Sequence, residues 1–112
     1  MAAIPFVIEQ ALKNYLGDLA EQYQLDHVIL FGSMACGTFD QDSDIDLAIF
    51  SPDVTEENEI NIMTDCLLRA VPYKLDIQPL VYPTVDYTAD NDFIQKEIIG
   101  KGVELPLPNI ER

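Results

Sequence analysis

Residues 31–50 read FGSMACGTFDQDSDIDLAIF and constrain the fold more than any other part of the chain. The apolar run at 28–31 ends at Gly32, and a second apolar run surrounds and follows Asp44 and Asp46. Short apolar runs bounded by turn signals are typical of buried strands. We therefore expect two core strands joined by a polar connection that starts with a glycine.

The connection itself has the features of an anion site. Gly32 allows a sharp turn because it has no side chain in the way. If Ser33 caps a short helix that starts at Met34, the free N–H groups of that helix and the Ser33 hydroxyl form a pocket suited to phosphate. Capping alone would also explain the serine, and capping is compatible with phosphate binding.

The two aspartates that follow suggest a metal site. On a strand, Asp44 and Asp46 share one face about 6 to 7 Å apart, while Ile45 and Leu47 face the core. Carboxylates this close repel each other unless a cation lies between them. Magnesium is the expected cation, because it binds through one or two carboxylates together with substrate phosphates.

A third carboxylate is available in the next strand-like stretch, residues 74–82. There Leu75 and Ile77 are expected to face the core and Asp76 the opposite side. If this strand lies beside the first acidic one, the three carboxylates could hold two metals roughly 4 Å apart. Pro79 predicts that this strand lies at an edge of the sheet or stops pairing there. Taken alone, Asp76 could equally be a solvent-facing residue.

The whole pattern of Gly32-Ser33, ten residues, Asp44-x-Asp46 and a later Asp76 resembles the minimal nucleotidyltransferases, small relatives of polymerase beta. The resemblance covers about residues 4–105. It implies an α/β fold with a small mixed sheet flanked by helices, like the polymerase beta palm. Small members of this family resemble the antitoxin half of toxin–antitoxin pairs whose toxin is an all-helical ribonuclease of the HEPN type.

The resemblance also implies an activity: Mg²⁺-dependent transfer of AMP from ATP to a hydroxyl, in an antitoxin to a tyrosine of the toxin. Two Mg²⁺ ions are implied, with Asp76 holding one of them and receiving the proton of the nucleophile. The implied catalytic and metal-binding residues are Asp44, Asp46 and Asp76, and the implied nucleotide-contacting residues are Gly32, Ser33 and Ser43.

One position departs from the family pattern. The family commonly reads Gly-Ser-x-Ala-Arg-Gly, whereas residues 32–37 read GSMACG, so Cys36 replaces the arginine and its permanent charge. A second reading is therefore a weakly active or inactive module that neutralises its partner by forming a stoichiometric complex. A third is adenylylation of a small molecule such as an aminoglycoside, which larger relatives perform with an added helical domain that 112 residues do not accommodate.

The charge of the chain favours some partners over others. Twenty acidic and six basic residues give a formal net charge of −14. Such a surface repels nucleic acid and favours a basic protein partner. Solubility or a salt-rich habitat explains the same charge equally well. The charge is compatible with a homo-oligomer and with a hetero-oligomer.

Length and composition predict one domain, residues 1–105, followed by a short tail, residues 106–112. Two cysteines without a zinc-binding spacing fit a reduced, cytoplasmic protein. No apolar run approaches the roughly 20 residues of a membrane span.

Apolar periodicity predicts helices at 4–23, 53–71 and 91–99, and a short strand is expected near 103–105. Asp53 or Thr55 is the expected cap of the second helix. Its predicted inward-facing residues are Ile60, Met63, Leu67 and Ala70.

Overall fold

The two apolar runs around the glycine turn pair with each other in a four-stranded mixed sheet. The computed structural model describes residues 6–32, 44–73 and 76–107. Its elements are α1 (Phe6–Gln22), β1 (His27–Phe31), β2 (Ile45–Ser51), α2 (Glu59–Ala70), β3 (Ile77–Pro83), α3 (Phe93–Ile99) and β4 (Val103–Glu104). The sheet order is β3-β2-β1-β4, with β2 and β3 parallel and the other pairs antiparallel. The predicted α/β fold is confirmed.

Helices cover both faces of the sheet, which explains why β2 is apolar along nearly its whole length. Every β2 residue except Asp46 is buried. Leu47 and Ile49 pack in the larger core, with α1 and α2. Ala48 and Phe50 pack in the smaller core, with α3. A strand covered on both sides needs apolar residues at successive positions, whereas a strand covered on one side alternates.

The start of α2 differs from the prediction. Thr55 and Asn58 exchange hydrogen bonds: the Asn58 N–H donates to the Thr55 Oγ1 (3.3 Å), and the Thr55 N–H donates to the Asn58 Oδ1 (2.7 Å). This reciprocal pair is a capping box built around Thr55, one of the two expected caps. The regular helix begins at Glu59, not at residue 53, because this turn precedes it. The Asp53 carboxylate instead accepts the Gln24 N–H (2.8 Å).

The inward face of α2 also differs from the prediction. Its buried residues are Ile62, Cys66 and Ala70. Ile60 and Leu67 are exposed, so their predicted inward placement is wrong. Two apolar stripes run along this helix. The Tyr15 hydroxyl, which donates to the Cys66 carbonyl (2.7 Å), helps fix the stripe that faces α1.

Among the described strands, β3 lies at one edge of the sheet, as Pro79 predicted. The Ile45 N–H donates to the Asp76 carbonyl (2.8 Å), so in the parallel register residues 76, 78, 80 and 82 turn their backbone groups toward β2. Pro79 and Pro83 therefore lie at positions whose N–H would point away from the sheet. They cost no ladder bond and remove two donors from the open edge.

The last helix covers the second face of the sheet. α3 starts at Phe93, and the Asn91 side chain accepts the Ile94 N–H (3.1 Å). The Gly100 N–H donates to the Gln95 carbonyl (2.9 Å), five residues earlier, as in a π-helix. No described helix is long and apolar enough to span a membrane.

Candidate active site

Gly32 ends β1 in a conformation that a side chain would disfavour. Its φ is +76°, in the left-handed region. The preceding residue, Phe31, pairs with Asp46 across the β1–β2 ladder. A Cβ built on Gly32 would overlap the Asp46 Oδ2 and lie 3.2 Å from its carboxyl carbon. The absent side chain thus leaves the space that the Asp46 carboxylate occupies.

Asp46 carries an electrostatic cost in the folded protein. It is half-buried, whereas Asp44 is exposed. Burial first, and the Asp44 carboxylate second, raise the pKa of Asp46. Both effects disfavour a charged Asp46, and a bound cation would relieve both.

Asp76 lies next to Asp44 at the start of the neighbouring strand. It precedes β3, which begins at Ile77, so the predicted strand over 74–82 starts too early for the described part of that stretch. Ile45 pairs with Ile77 in parallel register, and Asp44 and Asp76 each precede their strand by one residue. The two aspartates are therefore level with each other at the same end of adjacent strands.

All three aspartates belong to the same face of the sheet. Ile45, Leu47 and Ile77 are in the core with α1 and α2. Strand alternation then places Asp44, Asp46 and Asp76 on the α3 side. The register thus places the three aspartates at one end and on one face of the sheet, and their expected convergence around metal ions stays a prediction.

The sequence interpretation did not single out Gln78, an exposed residue that pairs with Asp46 in the β2–β3 register. It lies two residues after Asp76 and so on the same face of β3. The only sequence signal for it was this spacing. Its amide can donate to a phosphate oxygen or accept from a hydroxyl.

The described side chains do not form a metal site by themselves. In the described residues no group of three or more Asp, Glu, His or Cys side chains is placed to hold a metal ion by itself. Asp44 and Asp46 nevertheless interact electrostatically. Hard oxygen donors that leave ligand positions open suit Mg²⁺, which usually keeps several waters and binds substrate phosphates.

The remaining candidate residues, Ser33 and Ser43, lie outside the described residues, as does Cys36. Their predicted roles stay predictions. The described part of the site is therefore its acidic side together with the glycine that begins the connection.

Comparison with known proteins identifies the family. Residues 12–107 match the family described as polymerase beta, nucleotidyltransferase. This chain belongs to that family. The resemblance to minimal nucleotidyltransferases is confirmed, and the protein is a nucleotidyltransferase. The family match spans Gly32 and all three aspartates.

A curated relative of this nucleotidyltransferase comes from Methanocaldococcus jannaschii and is named "Putative protein adenylyltransferase MJ0141". The two are 31% identical over 101 residues. The aligned region covers 88% of this chain and 98% of the relative. The likeness therefore extends over nearly the whole of both proteins.

Replacing Gly32 with alanine is expected to damage the acidic site of the nucleotidyltransferase. The new methyl group would push the Asp46 carboxylate aside, and φ +76° would be strained by about 1 kcal/mol. We expect nucleotidyl transfer to fall by about 100-fold or more. Transferase activity of wild type and the Gly32→Ala variant measures the displacement of Asp46, and thermal unfolding of the same two proteins measures the backbone strain.

Gly17→Ala is the matched control, because Gly17 lies in α1 with nothing within 4 Å of its added Cβ. It should keep full activity and gain about 0.5–1 kcal/mol in unfolding free energy. Full activity in Gly32→Ala would show that the glycine does not make room for Asp46.

Asp46→Asn is expected to stabilise the metal-free nucleotidyltransferase at pH 7. The neutral amide removes both the desolvation of a carboxylate and its repulsion by Asp44. The unfolding free energy should rise, as measured by urea unfolding in the presence of EDTA. Asp90→Asn, at an exposed position, serves as the control. A loss of stability in Asp46→Asn would contradict this reading.

Proposed function

We propose that this nucleotidyltransferase transfers AMP from ATP to a tyrosine hydroxyl of a partner protein, with the help of two Mg²⁺ ions. The observation that carries the proposal is the placement of Asp44, Asp46 and Asp76 at one end and on one face of the sheet, with Gly32 against Asp46. The name of the Methanocaldococcus relative supports protein adenylylation as the reaction.

Asp44 and Asp46 are proposed as the residues that hold the metals, and Asp76 as a third ligand. When bound, Mg²⁺ supplies positive charge that offsets the charge growing on the phosphates during transfer. Gly32 leaves room for the Asp46 carboxylate beside the turn that is proposed to receive the triphosphate. Ser33 and Ser43 are proposed to contact the nucleotide from the same connection.

In the proposed reaction, the acceptor oxygen attacks the α-phosphorus of ATP. The bond from the α-phosphorus to the bridging oxygen breaks, and pyrophosphate leaves. The acceptor hydroxyl loses its proton to Asp76, or to water that Asp76 orients. The exposed position of Asp76 at the start of β3 leaves it accessible to a bulky acceptor.

The partner is proposed to be a basic, all-helical toxin of the HEPN type, which would make this protein a cytoplasmic antitoxin. The net charge of −14 supports a basic protein partner and disfavours nucleic acid as substrate. A basic protein would approach this surface faster and with better orientation than a neutral one.

The test is transfer of label from ATP carrying ³²P at the α-phosphate, with Mg²⁺ and the product of the adjacent gene as acceptor. We expect labelled acceptor with the wild-type protein and a loss of about 100-fold or more in the Asp44→Asn, Asp46→Asn variant. Asp86→Asn, Asp90→Asn is the matched control with the same change in charge. Transfer that survives in the Asp44, Asp46 variant would refute the proposed site.

A second function is favoured by Cys36, which stands where the family commonly has arginine. In this function the protein neutralises its partner through complex formation, with little or no chemistry. The same experiment separates the two functions. Inhibition of the partner that persists in the Asp44, Asp46 variant without any labelling would favour the binding module.

A further inference from the structure

The outer face of α2 carries a concentration of apolar side chains that the core does not use. Ile60 is 71% exposed, Leu68 63% and Leu67 45%. Val71, directly after the helix, is 67% exposed. Each of the other large exposed apolar residues of the described chain lies in a different helix, strand or connecting segment. They are Phe6, Val85, Phe93, Val103 and Leu107.

These four residues share one face of the helix, here called the α2 stripe (Ile60, Leu67, Leu68 and Val71), with the exposed Thr64 between Ile60 and Leu68. At 100° per residue they span about 100° of the helix circumference. This face lies opposite the buried residues Ile62, Cys66 and Ala70. An apolar face this wide normally packs against something, whereas single exposed apolar residues need no explanation.

The end of α2 at which the stripe begins is acidic. Glu56, Glu57 and Glu59 are all exposed at the end where α2 begins. Arg69, the cation of α2, is committed to Asp65 within the helix, with Nε 2.8 Å from Oδ2. The face therefore combines apolar area with a negative border and no uncommitted positive charge from α2.

The stripe finishes at the same end of the sheet as the proposed active site, although α2 covers the face opposite the one that holds the three aspartates. Because β2 and β3 are parallel and joined through α2, the helix returns to the sheet end where both strands begin. Val71 precedes Asp76 by five residues, a stretch that spans at most about 17 Å. A partner lying along α2 would thus extend to the end of the sheet that holds the three aspartates.

We propose that the α2 stripe is the docking surface for the protein acceptor, which presents an apolar helix face bordered by lysine or arginine. The inference rests on the proposed function for the role of the docked partner, although the binding itself needs no catalysis. A second copy of this chain is a poorer occupant, because each copy has a net charge of −14 and the border of the stripe would repel itself.

The test uses a dye-labelled amphipathic peptide of leucine and lysine, about 18 residues or five helical turns long, with fluorescence anisotropy as the readout. One control peptide has the same composition in scrambled order, and another has glutamate in place of lysine. Binding to wild type is compared with binding to Ile60→Gln, Leu68→Gln. The matched control, Val85→Gln, Phe93→Gln, changes two exposed apolar residues elsewhere.

We expect the lysine peptide to bind wild type and the control variant equally, and the Ile60, Leu68 variant about tenfold or more weakly. The scrambled peptide lacks a continuous apolar helix face, and the glutamate peptide has the same sign of charge as the protein. Both should therefore bind roughly tenfold or more weakly than the lysine peptide. Thermal unfolding of each variant confirms that the exposed substitutions leave the fold intact. Equal binding by wild type and the Ile60, Leu68 variant, or by the ordered and scrambled peptides, would overturn the proposal.

Two further measurements separate the possible outcomes. Light scattering that shows a dimer in wild type and a monomer in the Ile60, Leu68 variant would assign the stripe to a second copy and overturn the proposal. Peptide binding by the Asp44→Asn, Asp46→Asn variant should equal that of wild type. If wild type binds the peptide but transfers no AMP to the partner, the proposed function fails and the docking surface stands. If wild type transfers AMP but peptide binding does not depend on the stripe, the docking surface fails and the proposed function stands.

Discussion

The parallel register between β2 and β3 is the constraint on which the candidate site depends. The pairing of Ile45 with Ile77 levels Asp44 with Asp76, and Asp46 with Gln78. A shift of one residue would turn the β3 side chains to the opposite face and separate Asp76 from the other two acids. The register is held because Ile45 and Ile77 both pack in the core beneath α1 and α2. Hydrophobic packing on one face thus positions the carboxylates on the other.

The same arrangement has an electrostatic cost that the fold absorbs. Asp46 is half-buried beside Gly32 and is repelled by Asp44, so its charged form is disfavoured. All β2 residues except Asp46 are buried. Their packing stabilises the strand enough to offset the cost of one poorly placed charge. A site that is strained without its cation and relieved by it is expected where function, not stability, has determined the residue.

Much of this molecule follows from local patterns in the sequence. The apolar runs at 28–31 and after Asp44, the turn at Gly32 and Pro79 predicted β1, β2, the turn between them and the edge position of β3, whereas the mixed sheet was implied by the family resemblance. The face of α2 did not follow, because this helix is apolar on two sides and only contact with α1 selects Ile62, Cys66 and Ala70. Its start was misplaced because the Thr55–Asn58 capping box adds a turn before the helix. Gln78 was not singled out because its place beside Asp46 comes from the pairing of β2 with β3, which is a property of the sheet.

The most direct test of the account is a crystal structure of the complex with a non-hydrolysable ATP analogue and Mn²⁺, located by its anomalous scattering. The account predicts two Mn²⁺ ions bound by carboxylate oxygens of Asp44 and Asp46 at about 2.0–2.2 Å. Asp76 should coordinate one of these two ions, and the triphosphate should lie next to Gly32. Mn²⁺ and triphosphate bound elsewhere, or Asp76 turned away from an occupied site, would contradict it.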